Sequence, residues 1–189
     1  GGSVVMNGYY STADPKKPEM NAGFRMENIG FAQAYKALDM VQQMAPIFEN
    51  LKGNFSGNMH IRTLLDNQMS PVMDTMQGNG SLSTQDLSLS GVKVIDQIAE
   101  AVKKPELKEM KVKDMTLDFT IKDGRVSTKP FDIKLGDYVM NLSGSTGLDQ
   151  TIDYSGKIKL PASAGDIAKL TTLDLKIGGT FSSPKVSLD

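Results

Sequence analysis

The sequence has 189 residues, of which 39% are hydrophobic and 23% charged, and its formal net charge is −1. A chain of this length fits one domain, and we expect residues 1–189 to form it, because about 150 residues already bury a substantial core. The balanced charge argues against a nucleic-acid partner, and the absence of cysteine excludes disulfides, thiolate nucleophiles and Cys-ligated metals.

The N-terminal half combines predicted strands with one predicted helix. Apolar and polar residues alternate in four segments, which predicts four strands. These segments are 4–11, 22–28, 55–63 and 81–89. Apolar residues recur every three or four positions from Phe31 to Phe48 and predict a helix. Pro46 is expected to end or kink that helix near Met44, because proline clashes with the preceding turn.

The middle of the chain contains a second predicted helix and a predicted hairpin. The helix covers 95–102 and ends before Pro105, after two lysines that suit the negative end of the helix dipole. Strict alternation over 115–122 predicts a strand, and Asp123-Gly124 after it is a strong hairpin signal. The alternation changes register around Pro130, which predicts a bulge or an edge position there.

Three further strands are predicted over 138–145, 152–160 and 173–181. Many strands at short spacing with glycine-rich turns are typical of antiparallel meanders. Together these patterns predict an α+β fold that is predominantly antiparallel β. We expect a curved meander sheet with two main amphipathic helices packed on its apolar face.

No residue pattern indicates catalysis, a metal or a cofactor, and we expect a non-enzymatic protein. His60, the one histidine, lies opposite Met59 and Ile61 on an alternating strand and is expected to face solvent. Gly78-Asn79-Gly80 is not followed by a helix carrying Lys-Ser/Thr, so it predicts a turn and not a phosphate loop. The carboxylates are scattered, and no pair is singled out for acid–base chemistry.

Methionine is the unusual feature of the composition, with twelve residues and no tryptophan. Methionine is flexible and fills irregular gaps in ordinary cores, which is the interpretation we favour. A surface that contacts lipid would have the same composition.

Several short motifs follow one another in a fixed order over 78–186, with a looser match over 1–52. They are Gly78-Asn79-Gly80-Ser81-Leu82, Leu87-Ser88-Leu89-Ser90-Gly91, Phe119-Thr120-Ile121-Lys122-Asp123-Gly124, Gly144-Ser145-Thr146-Gly147-Leu148-Asp149 and Gly179-Thr180-Phe181-Ser182-Ser183-Pro184. As an ordered series they resemble the C-terminal region of the AsmA family of bacterial envelope proteins.

The resemblance implies a periplasmic domain of a longer protein that is anchored to the inner membrane by a segment preceding this one. It implies a role in outer-membrane biogenesis and lipid homeostasis or phospholipid transport, with phospholipid or other envelope proteins as partners. The chain opens on Gly1-Gly2-Ser3 without an initiator methionine, which fits such a fragment. The alternative is a scaffold that binds other envelope proteins through its sheet edges.

The candidate lipid-facing residues are the apolar members of the predicted alternating strands. Residues of this kind are more often core than ligand contacts, and alternation alone leaves both roles open. The candidates are Met115, Leu117, Phe119, Ile121, Phe131, Ile133, Leu135, Ile152, Tyr154 and Ile158.

Overall fold

A computed structural model describes residues 1–161 and 172–189, which form eleven strands and three α-helices. The strands are β1 (Ser3–Ser11), β2 (Glu19–Gly30), β3 (Leu51–Leu64), β4 (Gln77–Leu89), β5 (Met110–Lys111), β6 (Thr116–Lys122), β7 (Arg125–Leu135), β8 (Tyr138–Gly147), β9 (Ile152–Lys159), β10 (Thr172–Gly179) and β11 (Pro184–Leu188). The helices are α1 (Phe31–Ala37), α2 (Asp39–Met44) and α3 (Lys93–Ala101), with 3-10 turns at Pro46–Asn50, Met73–Thr75 and Pro105–Lys108.

The strands form one antiparallel sheet in nearly sequential order, which confirms the predicted α+β meander. The order is β1-β2-β3-β4-β6-β7-β8-β9-β10-β11, and the short β5 also pairs with β4. Strand β4 pairs with both β5 and β6, in addition to β3. Strand β6 pairs with its first half, from Gly78 to Ser83, and β5 pairs with Ser88 and Leu89 at its end.

The strand register gives the sheet one apolar and one polar face. Residues directly opposite each other across a pair of strands point to the same face. Phe24 lies opposite Met59, Met59 opposite Gly80, and Gly80 opposite Phe119. We call this apolar side the inner face. Polar side chains such as that of Thr120 alternate onto the other side, the outer face.

Local backbone features confirm two predictions made from turn and proline signals. Asp123 and Gly124 both have positive φ, 52° and 74°, as a two-residue hairpin turn between β6 and β7 requires. The pairing of β7 with β8 shifts register between Thr128 and Phe131, which is the bulge expected around Pro130.

The largest core lies between the helices and the inner face. Phe31 of α1 packs edge-on against Phe48, with ring centroids 4.8 Å apart, and lies 5.0 Å from Phe55 of β3. Ile98 of α3 is 2% exposed in the same core. We call this core the main cluster, and it continues along the inner face to β10. Each large side chain buried in it contributes about 1.5–3 kcal/mol to stability.

The first predicted helix is interrupted, whereas the second forms as expected at Lys93–Ala101. Leu38 adopts an extended backbone, φ −127° and ψ 114°, and separates α1 from α2. Phe31 packs in the main cluster, whereas Met40 and Met44 pack in a second cluster elsewhere on the inner face. A single straight helix presents one stripe, so two separate packing sites favour a break.

The turn predicted at Gly78-Asn79-Gly80 is wrong, because these residues lie inside β4. The glycines serve close packing within the sheet. A Cβ on Gly80 would lie 2.5 Å from the ring atom Cζ of Phe119, its cross-strand partner. Glycine in a strand interior often marks such a close approach, and that sequence signal resembles a turn signal.

Candidate functional site

The apolar inner face is covered at two places by two separate clusters. The second, which we call the methionine cluster, has Ala22, Ile61, Met76 and Ile121 fully buried at its centre. The half-buried residues packed around that centre are Met20, Phe24, Met40, Met44, Met59, Met73, Phe119 and Val126. Helix α2 and the turn at Met73–Thr75 supply its cover, so this cluster seals the inner face near the N-terminal ends of β2 and β4.

A band of half-buried apolar residues crosses the inner face where the two clusters meet. Its Phe24, Met59 and Phe119 belong to the methionine cluster, and its Met26 and Leu82 pack against the main cluster. It consists of two adjacent rows of cross-strand partners on β2, β3, β4 and β6. We call it the central band; its members are Phe24, Met59, Gly80, Phe119, Met26, Gly57, Leu82 and Leu117. None of these eight residues reaches full burial, in contrast to Ile61 and Ile121 one row away.

Two glycines remove side-chain bulk from the central band. Gly57 lies opposite Leu82, and Gly80 lies opposite Phe119. A Cβ on Gly57 would collide with the backbone carbonyl of Ser81, and one on Gly80 would meet the Phe119 ring. Neither glycine leaves room for a side chain, and the Phe119 ring occupies the position that a Cβ on Gly80 would take.

The central band opens to solvent at strand β1. Val4 and Met6 lie opposite Met26 and Phe24, so they continue the same two rows. Their exposed fractions are 56% and 53%. The band residues are thus half-buried from β6 to β2 and exposed at β1.

The ten candidates predicted from sequence divide into two groups. Nine lie on the strands of the inner face, and Met115 immediately precedes β6. The fully buried candidates are Ile121, Leu135, Ile152 and Ile158. The half-buried candidates are Met115, Leu117, Phe119, Phe131, Ile133 and Tyr154. Leu117 and Phe119 are the two candidates that belong to the central band.

The sequence does not single out the members of the band that lie on β2, β3 and β4. Phe24, Met26 and Met59 were within predicted strands, but alternation does not say which strands are neighbours. The pairing of β2 with β3, β3 with β4 and β4 with β6 brings Phe24 and Met59 into one row with Phe119, although Phe119 lies 95 positions after Phe24 in the sequence. The alternation of apolar Met59 with polar His60 is the sequence signal that assigns Met59 to the apolar face of the sheet.

Polar side chains on the sheet serve the fold. The Nη1 of Arg125 donates to Thr151 Oγ1 at 2.7 Å, and its Nε donates to Ser145 Oγ at 2.8 Å. Hydrogen bonds from Thr151, and then the charge of Arg125 at 4.0 Å, hold the pKa of Asp149 below its ordinary value. Burial raises the pKa of the Tyr154 hydroxyl, which lies 2.8 Å from Thr146 Oγ1.

The described residues contain no cluster of three or more metal-ligating side chains, and His60 is exposed on the outer face. An open depression of about 280 Å³ lies beside Arg62, whose guanidinium pairs with Glu19 at 3.1 Å. Ligand pockets usually measure about 300–1,000 Å³ and are mostly apolar, so this polar depression is a poor match. The half-buried central band, which continues to the exposed Val4 and Met6, is the candidate site.

Comparison of the chain with protein-family models, with curated proteins and with solved structures gives no match. Within residues 1–161 and 172–189, no helix has the length and apolar character needed to cross a membrane.

Proposed function

We propose that this chain is a non-enzymatic periplasmic module of an AsmA-like envelope protein, and that its central band binds a phospholipid acyl chain. The role would lie in lipid homeostasis or transport during outer-membrane biogenesis. The observation that supports it is the incomplete cover of the inner face. A face that served only as core would be closed over the central band as it is over Ile61 and Met140.

The dimensions of the central band suit one acyl chain. Neighbouring strands lie about 4.8 Å apart, so the four strands of the band span roughly 14 Å, and β1 extends this to roughly 19 Å. One acyl chain spans about half of a ~30 Å hydrocarbon layer, or about 15 Å. A chain lying across the strands would therefore contact β2, β3, β4 and β6.

The open end of the band also suits an amphiphile. Polar groups lose free energy when they are buried without hydrogen bonds. An acyl chain entering from β1 would leave its headgroup in solvent beyond Val4 and Met6, both more than half exposed. The buried centre of the methionine cluster and that of the main cluster would confine the chain on either side.

A scaffold role is the second candidate, and the exposure of β1 favours it. An exposed strand edge can accept a strand from another protein, with main-chain hydrogen bonds as the source of affinity. A protein that takes up no lipid yet binds an envelope protein through β1 would support this alternative.

Native mass spectrometry of the purified protein, followed by lipid extraction, tests the proposal. The expected result is one phospholipid per chain, or its uptake from vesicles of phosphatidylethanolamine and phosphatidylglycerol. Met59→Glu places a charge in the central band and should abolish uptake. His60→Glu is the matched control, because it places the same charge on the next residue of β3 but on the outer face.

Both variants are first checked for the wild-type circular dichroism spectrum, so that loss of uptake is not loss of fold. A protein mass without lipid, unchanged after incubation with vesicles, would contradict lipid binding. Equal loss of uptake in Met59→Glu and His60→Glu would contradict the assignment of the site to the central band.

A further inference from the structure

Strand β1 concentrates the exposed apolar surface of the described residues. Its exposed large side chains are Val4, Val5, Met6, Tyr9 and Tyr10, each between 53% and 59% exposed. Val4, Met6 and Tyr10 lie on the inner face, and Val5 and Tyr9 lie on the outer face. Elsewhere in the sheet the outer face is predominantly polar, so apolar residues on both faces set β1 apart. Isolated exposed apolar residues are ordinary, whereas a contiguous set marks an interaction surface.

The backbone of β1 presents a long free edge. Strand β1 pairs with β2 over all nine of its residues, and within the described part of the chain its other side has no strand partner. Natural proteins protect such edges with charged residues, proline, bulges or short strands. Residues 3–11 contain no charged residue and no proline, and their register against β2 is unbroken. This edge is therefore open to another strand.

The sequence of β1 is complementary to itself when two copies run antiparallel about Asn7. Each residue then faces the one at the same distance on the other side of Asn7. Val4 faces Tyr10 of the second copy, Val5 faces its Tyr9, and Met6 faces its Gly8. Aromatic and β-branched residues are favourable cross-strand partners. This single register places Val4 opposite Tyr10 on the inner face and Val5 opposite Tyr9 on the outer face. No charged residue faces another charged residue.

We propose that β1 is a homodimer interface, in which two copies of this chain pair antiparallel about a two-fold axis at Asn7. A two-fold contact of this kind uses the same surface on both subunits and closes on itself. The axis is perpendicular to the sheet, so the inner faces of both copies lie on the same side. The two sheets join into one, and Val4 and Met6 at the end of each central band face Tyr10 and Gly8 of the other copy. This inference stands on the composition and exposure of β1 and does not depend on lipid binding.

The size of the contact predicts a weak dimer. An aromatic side chain can bury roughly 150–250 Å² of surface, and the large side chains of β1 are about half exposed. Two copies would therefore bury on the order of 1,000 Å², the lower limit for a specific interface. We expect a dissociation constant in the micromolar range, so that monomer and dimer exchange with concentration.

Sedimentation velocity over a range of protein concentrations tests the interface. The wild type should shift from monomer to dimer. Asn7→Lys places two like charges directly opposite each other at the axis and should raise the dissociation constant by more than about tenfold. Asn7 is exposed on the outer face, so the substitution leaves the core intact. Asn21→Lys, on the outer face of the neighbouring β2, is the matched control and should dimerise like the wild type.

Single cysteines test the register, because the natural sequence contains none. Asn7→Cys brings two thiols together at the axis, at a Cβ separation of about 4.5–5.5 Å. A disulfide or a short bis-thiol crosslinker should join them. Ser3→Cys is the matched control, since its two thiols would lie roughly 27 Å apart along the paired strands. Crosslinking of Asn7→Cys but not of Ser3→Cys is the expected result.

A protein that remains monomeric up to millimolar concentration would overturn the inference. A dimer that tolerates Asn7→Lys, or that crosslinks Ser3→Cys as readily as Asn7→Cys, would overturn this interface. Capture of a different strand by β1 with no self-association would also contradict the proposal and would identify the edge as a site for another protein.

Discussion

Strands β11 and β1 are the two edges of the sheet, and they differ in length, composition and cover. Strand β11 has five residues, begins with the buried Pro184 and carries Lys185 next to it. Helix α3 lies against it: Lys93 Nζ donates to the Ser182 carbonyl at 2.7 Å, and Gln97 Nε2 donates to the Pro184 carbonyl at 3.0 Å. Strand β1 has nine residues, no charge and five large exposed apolar side chains.

The difference shows which part of the inner face is core and which part is surface. Near β11 the inner face meets α3, and Leu175 and Ile177 are almost fully buried. Near β1 the same face ends in half-exposed residues. Both edges carry apolar residues on the inner face, and those near β11 are more buried because α3 covers that end.

The largest expected effect comes from truncating the covered end. Leu175→Ala removes a side chain that is 1% exposed, and large-to-small changes in a core cost about 2–5 kcal/mol through lost burial and a cavity. Tyr10→Ala at the open end should cost less than about 1 kcal/mol of monomer stability, because Tyr10 is 57% exposed. Urea unfolding of both variants checks the contrast, and equal losses would contradict it.

A lysine introduced on the inner face, at one edge strand or the other, should give a loss of stability of intermediate size. Val186→Lys on β11 inserts a charge where valine is half-buried against the main cluster, so we expect a loss of about 1–3 kcal/mol. Val4→Lys on β1 should change stability by less than about 0.5 kcal/mol. Thermal unfolding of both variants, at protein concentrations too low for the proposed dimer to form, compares their stabilities. A larger loss for Val4→Lys would refute the difference between the edges.

Removal of the helix contact to β11 should give a smaller effect. Gln97→Ala deletes the hydrogen bond to the Pro184 carbonyl and should lower stability by about 1 kcal/mol. Amide hydrogen exchange should rise mainly in β11, because its cover is loosened. Gln85→Ala, an exposed residue of β4, is the control and should leave exchange unchanged. Unchanged protection of β11 in Gln97→Ala would mean that α3 does not stabilise this edge.

The smallest effect is a pH dependence at the hairpin between β8 and β9. The pKa of Asp149 is lowered from 3.8 in the folded chain, chiefly by hydrogen bonds from Thr151. Its stabilising contribution is therefore present above pH 3.8 and is lost as pH falls through the lower folded value. Asp149→Asn should be slightly less stable than the wild type near neutral pH, and the two should converge in acid. Chemical denaturation from neutral pH down to pH 2 measures the free energy of unfolding of both proteins. A difference between them that stays constant over this range would contradict this linkage.

The sequence predicts the strands well because their alternation is local, and β6 with its Asp123-Gly124 turn is the clearest case. It does not predict the break at Leu38, because the helical spacing of apolar residues continues through that position. The central band depends on contacts between distant parts of the chain: Phe24, Met59 and Phe119 become neighbours only through strand pairing. The glycines of β4 mislead for a physical reason, since close packing and turns both favour glycine.

The position of bound lipid distinguishes a central band that binds an acyl chain from one that is ordinary core. A phospholipid with a photoactivatable group at mid-chain can be crosslinked to the protein and the modified residues mapped by mass spectrometry. We expect labelling of Phe24, Met59, Leu117 and Phe119 in the central band, and of Met6 at its open end. Labelling confined to the outer face, or to the inner face at β9 and β10, would contradict it.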